Sequence, residues 1–425
     1  MVLPAPEPPL IPHVIVTGGQ DTASRAVVSR IRHMTRTAAS RSGINPFYVM
    51  EVMRAAELRL AEGKDVLHLE VGQPSTPAAP KVIAEAHRVL DENVLGYTTS
   101  GGIEPLRRRI AQHYDEWYGV DVDPEAVMVT LGATGAFVAV FMAAFDHGDR
   151  VVVPSPGYPC YSNTLHILGV GGVVIKKTIE TRFQPTVEQL EALGPVDGLI
   201  LSSPSNPTGT MLEAHDMKTL TDWCRANDVW FISDEIYHGI TYGQSAPTAL
   251  KFDPEAIVIN SFSKYFCMTG WRVGYAGGPK EIIAAINKVQ SQSTTHTSSI
   301  SQAATVEALN GPQDFMKEWV ETFRGRRDYV VKELNNIPGL SCPTPVGAFY
   351  VYPSCAGAIG KKTPSGMEIN NDTDFVTGLL EDEGVAVVQG VAFGLEPHFR
   401  VSYATSTENL ENAMGRIRRF CESLV

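Results

Sequence analysis

The sequence lacks the features that mark several whole classes of protein. Its six cysteines, Cys160, Cys224, Cys267, Cys342, Cys355 and Cys421, contain no CxxC pair. Neither zinc spacing nor a disulfide framework is indicated, and a reducing compartment is the simplest setting. No uninterrupted apolar run reaches the roughly 20 residues of a membrane helix, and the start MVLPAPEPPLIPHVIV has no basic stretch ahead of an apolar one. Positive charge is in deficit: 35 Lys and Arg face 47 Asp and Glu, for a formal charge of −12. A nucleic-acid binder needs a basic face instead. The GxSxG of a serine hydrolase, the GxxxxGK[ST] of a P-loop and a complete GxGxxG are also absent. The expectation is a cytoplasmic protein with no membrane and no nucleic-acid partner.

One stretch runs against the acidic balance. Residues 22–50, TASRAVVSRIRHMTRTAASRSGINPFYVM, carry Arg25, Arg30, Arg32, Arg36 and Arg41 without an acid. That composition suits a basic arm lying on an acidic body, and it also suits an organelle transit peptide, the alternative to a cytoplasmic location.

A chain of 425 residues is too long for one small core. Residues 1–24 are proline-rich, without helical or strand period, and read as a flexible tail. Residues 25–72 read as an arm and a helix, from Asn45 to a glycine stop at Gly63, packing with a small domain. From 73 to 300 short apolar strands (AVMVTLG, DRVVVPS, GGVVIKK, DGLILSS, DVWFISDE, EAIVINS) alternate with amphipathic helices. This pattern predicts an α/β fold, a mostly parallel sheet covered by helices on both faces. A long helical stretch from Ser299, three short strands (GAFYVYP, GVAVVQG, HFRVSYA) and a last helix predict a smaller α+β domain over 301–425.

In parallel sheets the ligand sits where strands hand over to loops, at their C-terminal ends. Those ends read GATG, SPGYPCY, SPSNPTG, SDEIYHG and SFSKYF. A metal hydrolase would draw on Asp234, Glu235 and His238 of DEIYH, a single cluster without a distant partner. A lysine beside an acid and anion-binding groups fits imine chemistry better, which requires the amine pKa to fall from about 10.4. Pyridoxal phosphate would use the same set. Its phosphate needs helix N-terminal amides, hydroxyls and an arginine, which Ala133, Thr134, Ser261, Ser263 and Arg272 supply, and its ring nitrogen needs a carboxylate, Asp234. The bland readings are an Asp234 that only caps a helix, Tyr158 and Tyr97 as core aromatics, Ser263 as a turn residue, and Arg400 in a structural salt bridge.

SPSNPTGT, SDEIYHGITY and SFSKYFCMTGWRVGY resemble three consecutive signatures of the class I and II aminotransferases, fold-type I pyridoxal-phosphate enzymes. The resemblance runs from about Arg30 to the C-terminus. It implies a mostly parallel seven-stranded sheet with a smaller α+β domain, and a homodimer with shared active sites. It further implies that Lys264 forms the Schiff base and moves the substrate proton, that Asp234 pairs with the ring nitrogen, and that Asn206 and Tyr237 bind the ring oxygen. Tyr158 falls where an aromatic stacks on the ring, and Tyr97 where a tyrosine reaches the neighbouring subunit's phosphate. Arg400 matches the arginine that holds the substrate α-carboxylate, and Gly72 the backbone that closes over it. Relatives favouring aspartate often carry lysine where this chain has Thr134, and the loop near Ile44 and Phe47 is apolar. A neutral or aromatic amino donor, with a 2-oxo acid as acceptor, is therefore expected over aspartate. A carbon–sulfur β-lyase on the same fold is the alternative; a cofactor-binding DNA regulator is disfavoured because too few residues precede Asn45.

Overall fold

A computed structural model describes residues 38–425. The chain divides into two units, residues 1–42 and 43–425. Of the first, the described part is a short turn, Ser40–Ser42; the proline-rich tail and Arg25, Arg30, Arg32 and Arg36 lie outside the described residues.

Seven strands form one sheet in the second unit. Their spatial order is Val127–Thr130, Gly274–Gly277, Ile257–Ser261, Trp230–Asp234, Gly198–Ser202, Arg150–Ser155 and Gly171–Lys176. Side chains alternate between the two faces. Val258, Phe231, Leu199 and Val152 enter one apolar core and Ile257, Ile259, Ile232 and Ile200 the other. Burial on both faces explains why these strands read as continuous apolar runs rather than as alternating ones. Each such side chain contributes roughly 1.5–3 kcal/mol when fully buried.

Gly274–Gly277, the only antiparallel member, does not stand out in the strand pattern because glycine is depleted in strands. Packing demands it here, since a Cβ on Gly274 would lie 2.6 Å from the carbonyl carbon of Gly132 and 2.7 Å from the amide of Ala133. Its direction matters for the site. Gly274 pairs with both Thr130 and Ser261, so the start of this strand, and Arg272 just before it, lies at the edge where its neighbours end.

The remaining strands are short. Val388–Gln389, Phe399–Ser402 and Tyr350–Val351 make an antiparallel sheet, while Leu67–His68 pairs in parallel with Val385–Ala386. The run GVAVVQG, expected as one strand, thus serves two sheets. The long helical stretch from Ser299 is two helices, Ser299–Asn310 and Asp314–Asn335, broken at Gly311 and Pro312, residues that stop helices. The early helix is Tyr48–Ala61; its Val49 packs with Tyr352, Val388 and Phe393, and its Val52 and Ala56 with Leu380 and Ala386. No helix among the described residues is long and apolar enough to cross a membrane.

Candidate active site

The strand ends converge on a cavity of about 430 Å³. Eleven of the thirteen residues singled out from the sequence line it. Ser261 and Tyr97 do not. Ser261 is buried behind the wall, where its hydroxyl donates to the Val273 carbonyl (2.9 Å) and accepts from the Ser263 amide (3.0 Å). Tyr97 is 91% exposed, edge-on to His296.

Lys264 follows the strand Ile257–Ser261 and reaches into the cavity, where its ammonium donates to the Gly72 carbonyl at 2.7 Å. Burial, then the nearby Arg400 and Arg272 charges, lower its pKa to about 8, against a smaller opposing pull from Asp234. The amine is therefore far easier to deprotonate than a surface lysine.

Asp234 ends the neighbouring strand and is buried. The Tyr161 hydroxyl donates to its Oδ2, and its Oδ1 accepts from the Ile236 amide at 3.1 Å. The second bond is a local turn, so part of the bland reading is present, but no lysine, arginine or histidine among the described residues forms a salt bridge to this carboxylate. Burial pushes its pKa up to about 6, while Tyr161, Ile236 and Lys264 pull it down. Its neighbours Glu235 and His238 are engaged elsewhere. Glu235 accepts from Thr248 and Ala249, and His238 bonds the Ser203 carbonyl and the Tyr118 hydroxyl.

At one end of the cavity lies the start of helix Gly132–Ala144, which carries no side-chain cap, so its first amides face a site lined by Ala133, Thr134, Ser263, Thr269 and Arg272. Arg272, in a left-handed conformation at φ 56°, donates to the Thr269 carbonyl at 2.9 Å. Its guanidinium lies so close to the helix start that a Cβ on Gly132 would sit 2.5 Å from Nη2. Open amides, hydroxyls and a guanidinium together make a cradle for a phosphate.

At the other end Arg400, on strand Phe399–Ser402, is only 3% exposed. It donates to the Asn206 side-chain oxygen (3.0 Å) and the Glu70 carbonyl, and its Nε is buried without a partner. The Tyr350 and Phe393 rings flank it at 4.5 and 5.0 Å. No carboxylate among the described residues pairs with it. A buried guanidinium in that state has donor capacity left for an anion.

Asn206 and Tyr237 also line the cavity, and the Tyr237 hydroxyl meets that of Tyr350 at 2.9 Å. Tyr158 lines the same wall, edge-on to Phe47 and Tyr161. Tyr161, Tyr350 and Thr269 are site residues that the strand-end reading does not single out. Tyr161 stands in the strand end SPGYPCY, one turn past Tyr158, Thr269 in the signature stretch SFSKYFCMTGWRVGY and Tyr350 in the strand GAFYVYP, so hydroxyl-bearing residues within those stretches are the available signal.

The residues fit pyridoxal phosphate on their own chemistry: a lysine of lowered pKa, a buried carboxylate lacking a cation, and an open phosphate cradle. Residues 64–417 match the family described as aminotransferase class I and II. The chain is 41% identical over 396 residues to a probable aspartate/prephenate aminotransferase of Rhizobium leguminosarum, covering 91% of this chain and 99% of that one. It is 38% identical to a valine–pyruvate aminotransferase of Mycobacterium tuberculosis, covering 90% and 98%. Among solved structures, an aspartate aminotransferase from Rhizobium meliloti superposes with a TM-score of 0.88 at 41% identity, covering 92% and 100%. The β-lyase alternative finds no support in these relatives, each of which carries an aminotransferase name, and is set aside. The chain belongs to the class I and II aminotransferases and is a pyridoxal-phosphate-dependent aminotransferase.

Proposed function

We propose that this aminotransferase takes its amino group from a neutral or aromatic L-amino acid in preference to aspartate and passes it to a 2-oxo acid, working as a cytoplasmic homodimer. The observation that carries the substrate reading is the composition of the wall: Phe47, Val49, Met50, Val71 and Ile236 are apolar, and the cations lining the cavity are Lys264, Arg272 and Arg400. A distal carboxylate finds no further cation among these lining residues, whereas an apolar or ring-bearing side chain meets Phe47 and Met50. Ile44, expected on this wall, is not among the lining residues. The relatives' names span both kinds of substrate, aspartate/prephenate and valine–pyruvate.

The cofactor, when bound, supplies a carbonyl carbon that condenses with amines and a ring that takes up electron density. In this reading Asp234 holds its ring nitrogen, Asn206 and Tyr237 its ring oxygen, and Tyr158 its face. Ala133, Thr134, Ser263 and Arg272 hold its phosphate, with Ser261 bracing Ser263. Arg400 takes the amino acid's α-carboxylate in a bidentate grip, under the backbone of Gly72. With a pKa near 8, Lys264 is uncharged in a usable fraction at neutral pH. It therefore serves first as the nucleophilic amine and then as the base that takes the α-carbon proton. Asp234, Arg400 and the apolar wall keep that carbon oriented and shielded from water. The exposed Tyr97, with Val94 beside it at 99% exposure, supports a subunit interface on that face, from which Tyr97 would reach the partner's phosphate site. Residues 73–300 and 301–425 are the large and small domains of this reading.

The test is a panel of L-amino acids and 2-oxo acids on the holoenzyme, following the cofactor chromophore. Faster half-reactions with phenylalanine, tyrosine or leucine than with aspartate support the reading, and a preference for aspartate overturns it. Sedimentation at micromolar concentration tests the dimer.

A further inference from the structure

Outside the cavity, Asp372 is a fully buried carboxylate on which no lysine or arginine sits among the described residues. It opens helix Asp372–Glu383, yet the helix is already capped by Asn371, whose side-chain oxygen accepts from the Asp374 amide at 2.9 Å. Asp372 instead turns to a loop. Its Oδ2 accepts from the amides of Val391 (3.1 Å) and His398 (3.3 Å), while its Oδ1 has no partner. Those amides stand at the two ends of residues 390–398, a loop whose base is closed by the Gly390 amide on the His398 carbonyl at 2.7 Å.

The middle of this loop touches the active site from two directions. The Phe393 ring lies 5.0 Å from the Arg400 guanidinium. The Phe393 carbonyl accepts from the Gly157 amide at 3.0 Å, and the Gly394 carbonyl accepts from the Ser155 hydroxyl at 2.8 Å, directly before Tyr158. The other titratable groups around Asp372 are Glu396, Tyr352, Cys355 and His398, the last stacked on Tyr352 at 5.1 Å, and none is a lysine or arginine that would offset its charge. Burial raises its pKa to about 6, so the fold holds this carboxylate against its own solvation.

We propose that Asp372 is a positioning residue for substrate binding: by pinning both ends of the 390–398 loop, it sets Phe393 against Arg400 and seats the loop on the turn that carries Tyr158. The inference rests on the reading of Arg400 as the α-carboxylate receptor.

Steady-state kinetics of the holoenzyme with Asp372→Ala, Asp372→Asn, Phe393→Leu, Val391→Pro and Arg400→Lys test it. Asp372→Ala should raise KM for both amino acid and 2-oxo acid about threefold or more, the scale of a lost cation–π contact, with kcat within about twofold. Asp372→Asn, whose amide oxygen still accepts both loop amides, should restore KM. Asp372→Ala combined with Phe393→Leu should raise KM no further than Phe393→Leu alone. Val391→Pro removes one amide from the loop side and should raise KM even if Asp372→Ala does not fold. An unchanged KM in Asp372→Ala or Val391→Pro, or effects that multiply in the double variant, would overturn the proposal. If Arg400→Lys leaves KM unchanged, the carboxylate reading itself fails; if Arg400→Lys raises KM and Asp372→Ala does not, only the loop inference fails.

Discussion

Replacing Asp234 with asparagine should make the cofactor-free protein more stable and the enzyme nearly inactive. Asp234 is buried, and its pKa is raised from 3.8 to about 6. A carboxylate with a raised folded-state pKa destabilises the fold when ionised. That destabilisation is absent below the unfolded value, grows as pH rises from about 4 to 6, and is complete above 6. Roughly two pK units correspond to about 3 kcal/mol at neutral pH. Asparagine keeps the shape, still accepts from the Ile236 amide and carries no charge. At pH 7.5 denaturant unfolding of cofactor-free Asp234→Asn should therefore show up to about 3 kcal/mol more stability than wild type at an unchanged m-value, and at pH 4 the two should converge. Turnover should fall by about a hundredfold or more, because a neutral amide cannot balance a protonated ring nitrogen. If the variant is less stable than wild type at pH 7.5, the buried-charge argument is wrong; if it turns over normally, the assignment of Asp234 is wrong.

Tyr161→Phe removes a donor that favours ionised Asp234. A hydrogen bond to a charged group is worth roughly 1.5–3 kcal/mol, so the acid limb of kcat/KM should move up by about one to two pH units; an unmoved limb would show that Tyr161 does not tune the carboxylate. Arg272→Ala should weaken cofactor binding about tenfold or more, read by titration of cofactor into the cofactor-free protein, and an unchanged affinity would remove Arg272 from the cradle. Thr134→Lys places a cation beside the cavity and should raise kcat/KM for aspartate relative to phenylalanine; no shift in that ratio would detach Thr134 from substrate choice.

Much of the site was legible because parallel α/β sheets confine ligands to one edge, so short hydroxylated and charged stretches after each apolar run point to the same place. Lys264, Asp234 and Asn206 follow from that rule. Arg272 follows only in part: its position depends on the antiparallel strand Gly274–Gly277, which glycine disguises and which packing against Gly132 and Ala133 requires. Tyr350 meets Tyr237 across 113 residues, a pairing that local sequence does not encode. Tyr161 is one helical turn past Tyr158, and its contact with Asp234 exists only once helix Cys160–Leu168 is docked. Asp372 stands in the first turn of its helix, where an acid is favourable to the helix dipole whatever else it does, so local sequence does not single it out. Its loop contacts belong to tertiary structure.

Lys264 is, in the proposed function, the residue joined to the cofactor. A rival exists within the chain, because Lys177 is also buried and burial lowers its pKa to about 7, although it does not line the cavity. Borohydride reduction of the holoenzyme, followed by peptide mass mapping, fixes the cofactor to whichever lysine carries it. The phosphopyridoxyl group should lie on the peptide containing Lys264, with no labelling and no turnover in Lys264→Ala; the label on Lys177, or wild-type turnover in Lys264→Ala, would refute the assignment of Lys264.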